Sequence, residues 1–312
     1  MSNKIIQKDR SGIATVLLVI IIVAVLVVAA GAAYVVMSGD DDKEEPEEEK
    51  QTLAPGTVMK YDITGIAETP IEGEVTYIGQ SAELYFVMLK IPISETMYSV
   101  QYDILPKKVP KDAKVSTVEI DFEGGKKKVT LWEYSTPYLL GENAQSKTYI
   151  DPSIGLMYKD ETTVLGMTIV QVLKEYTPQW QESFEESESI GMTSEYAANY
   201  MGQIFNLDIV CIAGCGDDQF GVMIDFSKVG SPRAYFLSDH PQGLPVDAKY
   251  TGNEYTLDTI DGEGKSVQVW NILDENENGY VFYYDPVSHN VYRMVLISGA
   301  TIVIFDLTKK PA

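Results

Sequence analysis

The chain has 312 residues, enough for about two domains of ordinary size, and carries 46 acidic against 24 basic residues for a net charge of -22. Only Arg10, Arg233 and Arg293 are arginine, so the chain lacks the basic face that displaces phosphate counterions, and nucleic acid is excluded as a partner. Two histidines and two cysteines are too few for a multi-histidine metal site or a zinc ribbon.

No charged residue lies between Ser11 and Gly39, and the 24 residues from Ile13 to Val36 are nearly all apolar. As a helix they would reach about 36 Å, enough to cross a hydrocarbon core of about 30 Å with some tilt. Residues 13–37 are therefore expected to form a transmembrane helix, because a core helix keeps a polar stripe toward water. Lys4, Lys8 and Arg10 precede the span, and basic flanks stay inside. Residues 1–12 are thus expected in the cytoplasm and everything after Met37 outside it, in a single-pass protein of the cell membrane. Asp40 to Lys50 holds eight acids and two bases around Pro46, so residues 38–52 should be a solvated, self-repelling spacer.

The segment from Lys8 to Gly31, KDRSGIATVLLVIIIVAVLVVAAG, resembles the N-termini of archaeal type IV pilin-like and related membrane-anchored surface proteins. In that family a short charged leader precedes an apolar helix, and a prepilin peptidase cuts between them. The resemblance implies cleavage near Ser11–Gly12 and a helix that serves as membrane anchor or filament core. A pilin-like filament subunit is accordingly one alternative to simple anchoring.

Beyond the spacer the chain matches itself in several ordered places. Gly56–Ile63 meets Gly202–Ile209, and Val109–Lys114 meets Leu244–Lys249. Val129–Trp132 meets Val267–Trp270, and Tyr149–Pro152 meets Tyr283–Pro286. Gly166–Val170 meets Gly299–Val303. Two copies of one domain are expected, at 53–178 and 200–312, with an acidic linker at 179–199. Stretches such as Glu83–Val87, Lys128–Trp132, Thr168–Val172, Tyr280–Tyr284 and Thr301–Phe305 are rich in β-branched and aromatic residues and are bounded by turn formers. The fold class is mainly β, α+β at most: an N-terminal transmembrane helix followed by two tandem antiparallel β-sheet domains. Ser194 to Met201 is the one place in the linker region where a short helix is expected.

The Trp strand, the Tyr-x-Asp-Pro turn and the final Gly-x-Thr-Ile-Val strand loosely resemble the half-barrel carriers of lipids or lipoproteins. That resemblance implies one sheet curved around an apolar ligand, and it makes a ligand carrier the other alternative. A second surface protein is an equally open partner.

Asp274-Glu-Asn276-Glu-Asn278-Gly279-Tyr280, with Asp285 at the last place, follows the spacing of a calcium loop. Short oxygen side chains at alternate positions can converge on a hard cation, with the Tyr280 carbonyl among them. Calcium through Asp274, Asn276, Asn278, Tyr280 and Asp285 is one reading; a β-hairpin turning at Asn278-Gly279 is the other. Cys211 and Cys215 are the only thiols, and outside the membrane a pair favours a disulfide. Four residues along a straight strand span about 13 Å, so a bridge needs a turn at Ala213–Gly214, and bridged and free thiols both stay open. Asp261–Ser266 lacks the first glycine of a phosphate loop. His240 and His289 sit in turn contexts without a neighbouring nucleophile, and no enzyme is expected. No Asn-x-Ser/Thr sequon is present.

Overall fold

A computed structural model describes residues 51–65, 69–92, 98–137, 143–181, 183–200, 203–216, 218–225, 233–241 and 243–310. The transmembrane helix expected at 13–37, the cytoplasmic end expected at 1–12 and the expected cleavage point near Gly12 lie outside these residues, as does nearly all of the acidic spacer. Every helix-or-strand element among the described residues is a strand. The short pair β1 (Thr52–Leu53) and β11 (Trp180–Gln181) forms a ladder of its own.

Nine strands make a first antiparallel sheet: β2 (Val58–Thr64), β3 (Ile71–Gln80), β4 (Leu84–Pro92), β5 (Tyr98–Pro106), β6 (Lys114–Phe122), β7 (Gly125–Pro137), β8 (Asn143–Asp151), β9 (Leu156–Val164) and β10 (Met167–Thr177). Their order in space is β5-β4-β3-β2-β10-β9-β8-β7-β6. A second sheet is built from β12 (Thr193–Tyr200), β13 (Gln203–Gly214), β14 (Phe220–Asp225), β15 (Ala234–Ser238) and β16 (Lys249–Thr259). It is completed by β17 (Gly262–Leu273), β18 (Gly279–Asp285), β19 (Asn290–Ser298) and β20 (Thr301–Lys309). Its order, β15-β14-β13-β12-β20-β19-β18-β17-β16, repeats the first strand for strand. Both sheets are open: β5 and β6 edge the first, β15 and β16 the second.

Alternation produces these strands. In β2 the side chains of Met59, Tyr61 and Ile63 turn inward while their neighbours face out, and in β8 the inward set is Ala144, Ser146, Thr148 and Ile150. Glu123-Gly124 and Leu165-Gly166 both have positive φ at two successive residues, the geometry of a type I′ turn whose twist suits adjoining strands. One such turn joins β6 to β7, the other β9 to β10.

Equivalent residues perform equivalent work. The Tyr61 hydroxyl donates to the Met157 carbonyl at 2.8 Å, and the Tyr196 hydroxyl donates to the Val291 carbonyl at 2.7 Å, each deep in its own sheet. This pair fixes β2 against β12, so the match of Gly56–Ile63 with Gly202–Ile209 is one hairpin out of place. The last match is out by one residue, because Thr162 faces Ile169 while Leu296, its counterpart, faces Val303. A one-residue slip exchanges the faces: Ile169 is buried, whereas Ile302 is 55% exposed. The matches at Val129–Trp132 and Tyr149–Pro152 fall on strands of the same rank.

Residues 194–200 are strand, not helix. Tyr196 pairs with Leu207 on one side and Leu307 on the other, so β12 fills the middle of the second sheet. Its backbone groups would lose both ladders in a helix, and that outweighs the helix preference of Ala197 and Ala198. The second sheet therefore starts within 179–199, and the rest of that stretch is fastened down. Phe184 packs its ring under the Lys107 ammonium, 4.8 Å from the centroid, and the Glu186 carboxylate accepts from the Ala82 amide at 2.9 Å.

The sheets meet through strands of equal rank. Gly214 bridges Gln80, residues of the same position in β13 and β3, as in an isologous contact. Leu84, Phe86 and Ile104 of the first sheet pack there with Val210, Ile212, Met223 and Tyr235 of the second. A Cβ on Gly221 would stand 2.7 Å from the Phe86 ring, so only glycine admits this contact.

Candidate functional site

Strands β7, β8 and β9 place five polar side chains on one inward patch of the first sheet. Register sets Tyr134 opposite Ser146, Ser146 opposite Thr162, and Thr148 opposite Asp160. The Asp160 carboxylate accepts from the Thr148 hydroxyl at 2.6 Å and from the Thr162 hydroxyl at 2.9 Å. Thr148 is 3.0 Å from the Tyr134 hydroxyl, and Thr162 is 3.1 Å from the Ser146 hydroxyl. Tyr134 and Ser146 stand opposite one another in the register, so four hydroxyls gather around one carboxyl. All five residues are buried, Asp160 to 2% exposure.

Burial pushes the Asp160 carboxyl up to about 6, against the pull of the Thr148 and Thr162 donors, which favour the charged form. A carboxyl in this condition can hold or release a proton close to neutrality. Gln171 on β10 lies directly opposite Asp160 in the sheet.

The second sheet shows what the fold itself asks for at these places. Trp132 and Trp270 correspond, and by register Tyr134, Ser146, Thr148, Asp160 and Thr162 are replaced by Ile272, Tyr280, Phe282, Met294 and Leu296. Phe282 and Met294 are wholly buried. The architecture therefore accepts an apolar interior here, and the polar ring belongs to the first sheet alone.

The outer face differs in the same direction. Lys114, Glu133, Lys147 and Glu161 stand side by side across β6, β7, β8 and β9, alternating in sign. Lys147 pairs with Glu133 at 3.3 Å, and these four side chains with Asp112 line a groove of about 340 Å³. The corresponding row of the second sheet reads Lys249, Asn271, Val281 and Val295.

The expected calcium ligands are not brought together. Asp274 accepts from the amides of Asn276 and Asn278, both at 2.8 Å, in a turn closed on itself. Asn278 turns its side-chain oxygen to the Gly299 amide at 2.6 Å. Asp285 lies at the other end of β18, about 20 Å away at the strand rise, next to Lys265 at 2.9 Å and Ser288 at 2.7 Å. The connection from β17 to β18 runs through Asp274–Asn278, so the turn is also longer than a two-residue hairpin at Asn278-Gly279.

Cys211 and Cys215 are free thiols. The bend at Ala213–Gly214 that a bridge needs is absent, because β13 continues to Gly214 with only a bulge between Cys211 and Ala213. Burial pushes both thiols up to about 12, which removes them as nucleophiles near neutrality. Their counterparts in the first sheet are Tyr77 and Ser81, not Gly65 and Thr69.

The two histidines, 49 positions apart in the chain, lie together with ring centroids 3.7 Å apart and planes tilted by 32°. His289 Nδ1 is 2.7 Å from the Tyr284 hydroxyl. Burial holds His240 below its ordinary value, and the neighbouring His289 adds to this. The chain matches no protein-family model, no curated protein and no solved structure.

Proposed function

We propose that this chain is a single-pass, membrane-anchored protein of the cell surface whose two sheets stand outside the membrane as a joined pair of non-enzymatic binding or structural modules. The apolar run from Ile13 to Val36, between a basic and an acidic flank, carries the proposal. The sheets suit an external role as one body, since the shared core around Phe86 and the docked stretch at Phe184–Glu186 join them side by side. The carrier alternative asks for space inside each sheet. Tyr61, Tyr77 and Tyr158 fill the first interior, and Tyr196, Phe282 and Phe305 the second, so an anchored module without an enclosed apolar ligand is the better reading. The ring around Asp160 and the charged groove beside it mark the first sheet as the specialised one.

Labelling of intact cells with a membrane-impermeant amine reagent tests the topology. Lysines of residues 60–310 should react before lysis, and the protein should leave the membrane only with detergent. Labelling that appears only after lysis would reverse the orientation.

A further inference from the structure

We infer that His240 and His289 form an acid-released latch that fastens the connection between β15 and β16 to the turn between β18 and β19, over the apolar interior of the second sheet. The twin sheet supplies the comparison. There the turn between β8 and β9 is held by tyrosines, which stay neutral from acid to well above neutrality. The Tyr77 hydroxyl donates to the Gly155 carbonyl at 2.8 Å. Tyr85, stacked on Tyr77 with centroids 4.4 Å apart, fills the space where a Cβ on Gly155 would stand. By register Cys211 and Phe220 replace these tyrosines, and His289 replaces Gly155. The second turn is met instead by His240, at the position of Lys107. Fixed hydroxyl contacts in one sheet thus give way to a pair of imidazoles in the other.

His289 keeps the backbone of the glycine it replaces. Its φ is +56°, against +77° at Gly155, in the left-handed region that strains a residue with a side chain. This backbone delivers the imidazole to two partners. Nδ1 lies 2.7 Å from the Tyr284 hydroxyl, where the first sheet has Ile150, and the ring lies against His240 with centroids 3.7 Å apart.

Two imidazoles this close accommodate one proton between them; a second sets two like charges side by side. The Tyr284 hydroxyl serves either state, donating to a neutral ring and accepting from a charged one. The carboxylates around the pair are already engaged. Asp239, next to His240, accepts from Gln219 at 3.0 Å, and Asp285, beside Tyr284, is held by Lys265 at 2.9 Å and Ser288 at 2.7 Å. Burial of His240 opposes its proton as well. Imidazole ordinarily titrates near pH 6.5, so the contact is whole above about that value and is lost as the pH falls below it.

The latch covers core. Leu244 of the connection and Phe236 of β15 pack on the second interior, and Phe236 meets Tyr280 edge-on at 5.5 Å. Gly243 lies so close that a Cβ there would stand 2.8 Å from Ile209 and 3.4 Å from Val222. Release of the connection in acid therefore bares Ile209 and Val222, an apolar surface that stays covered at neutral pH. The inference concerns the second sheet alone and does not depend on the membrane anchor.

Hydrogen exchange of the full chain in detergent micelles, corrected for intrinsic rates, tests it between pH 7.5 and pH 5. The amides of Gly243, Val246 and Ala248, which bond the carbonyls of His240, Leu237 and Pro245, should lose at least tenfold in protection on acidification. Ala113, whose amide bonds Pro110 as Ala248 bonds Pro245, should stay constant. His240→Phe keeps a ring against His289 without the second proton, and should hold its protection at both values. His289→Gly restores the residue of the twin and should make protection of the connection independent of pH. A flat profile in the wild type would overturn the latch, as would an equal loss at Ala113 or an unchanged loss in His240→Phe. Should His240→Phe fail to fold, a tenfold loss that persists in His289→Gly overturns it equally.

Discussion

Phe86 lies against Gly221, the residue that holds the same position in the other sheet. Phe86 pairs with Ile104 and Gly221 with Leu237, one strand further out in each case. A large side chain in one copy thus fills the space that its counterpart leaves empty, and the two sheets fit one another in a single orientation. Phe86→Ala should cost about 3–5 kcal/mol, the usual range for a buried aromatic truncation. Gly221→Val should cost as much or more, because the added carbons meet the ring. Urea unfolding of the wild type should show one transition, and either variant should separate it into two.

The hydrogen bonds of Tyr61 and Tyr196 provide an internal comparison. Tyr61→Phe and Tyr196→Phe each leave a buried carbonyl, of Met157 or Val291, without its donor. Each should lose about 1–2 kcal/mol of stability, by similar amounts, in matched denaturation experiments. A large cost at one site and none at the other would contradict the equivalence of β2 and β12.

The β class was legible because period-two alternation and turn residues act locally. Copy register was harder to read. Gly56–Ile63 resembles Gly202–Ile209 since both strings begin with glycine and end in Asp-Ile, while Tyr196, the counterpart of Tyr61, lies one strand before the second string. The helix expected at Ser194–Met201 failed for a related reason: a central strand takes its conformation from two neighbours that lie far away in sequence. The ring around Asp160 depends wholly on register. Its members come from three strands and no two of them form a motif, yet one signal was present. In Asn143–Asp151 Ser146 and Thr148 occupy the inward positions while Gln145 and Lys147 occupy the outward ones, so a strand between buried strands is polar on both faces.

Acid should weaken the contact between the connection after β15 and the turn between β18 and β19. His240 is held below its ordinary value, so the unfolded chain binds more protons and stability falls as the pH drops below about 6.5. His240→Gln should flatten that limb of a melting-temperature profile. Its sign is opposite to that of Asp160, and His240→Gln measured beside Asp160→Asn separates the contributions.

Calcium should not stabilise the protein. Asp274 already accepts from two amides of its own turn, and Asp285 is held by Lys265 and Ser288 at the far end of β18. Addition of millimolar calcium should leave the melting temperature unchanged. Asp274→Ala should lower the melting temperature slightly and by the same amount with or without the ion, through the lost turn contacts.

The first sheet's conversion into a polar, proton-holding structure, against the apolar interior of its twin, is open to direct measurement. Carboxyl titration of the full chain by carbon-13 NMR, with aspartate labelled and Asp160→Asn as the reference, isolates the group. One resonance should titrate near pH 6 and vanish in the variant, distinct from that of Asp103, whose carboxyl burial also pushes well above the ordinary range. If the resonance lost in the variant titrates close to 4, Asp160 is an ordinary carboxyl that holds no proton near pH 6, and the assignment is wrong.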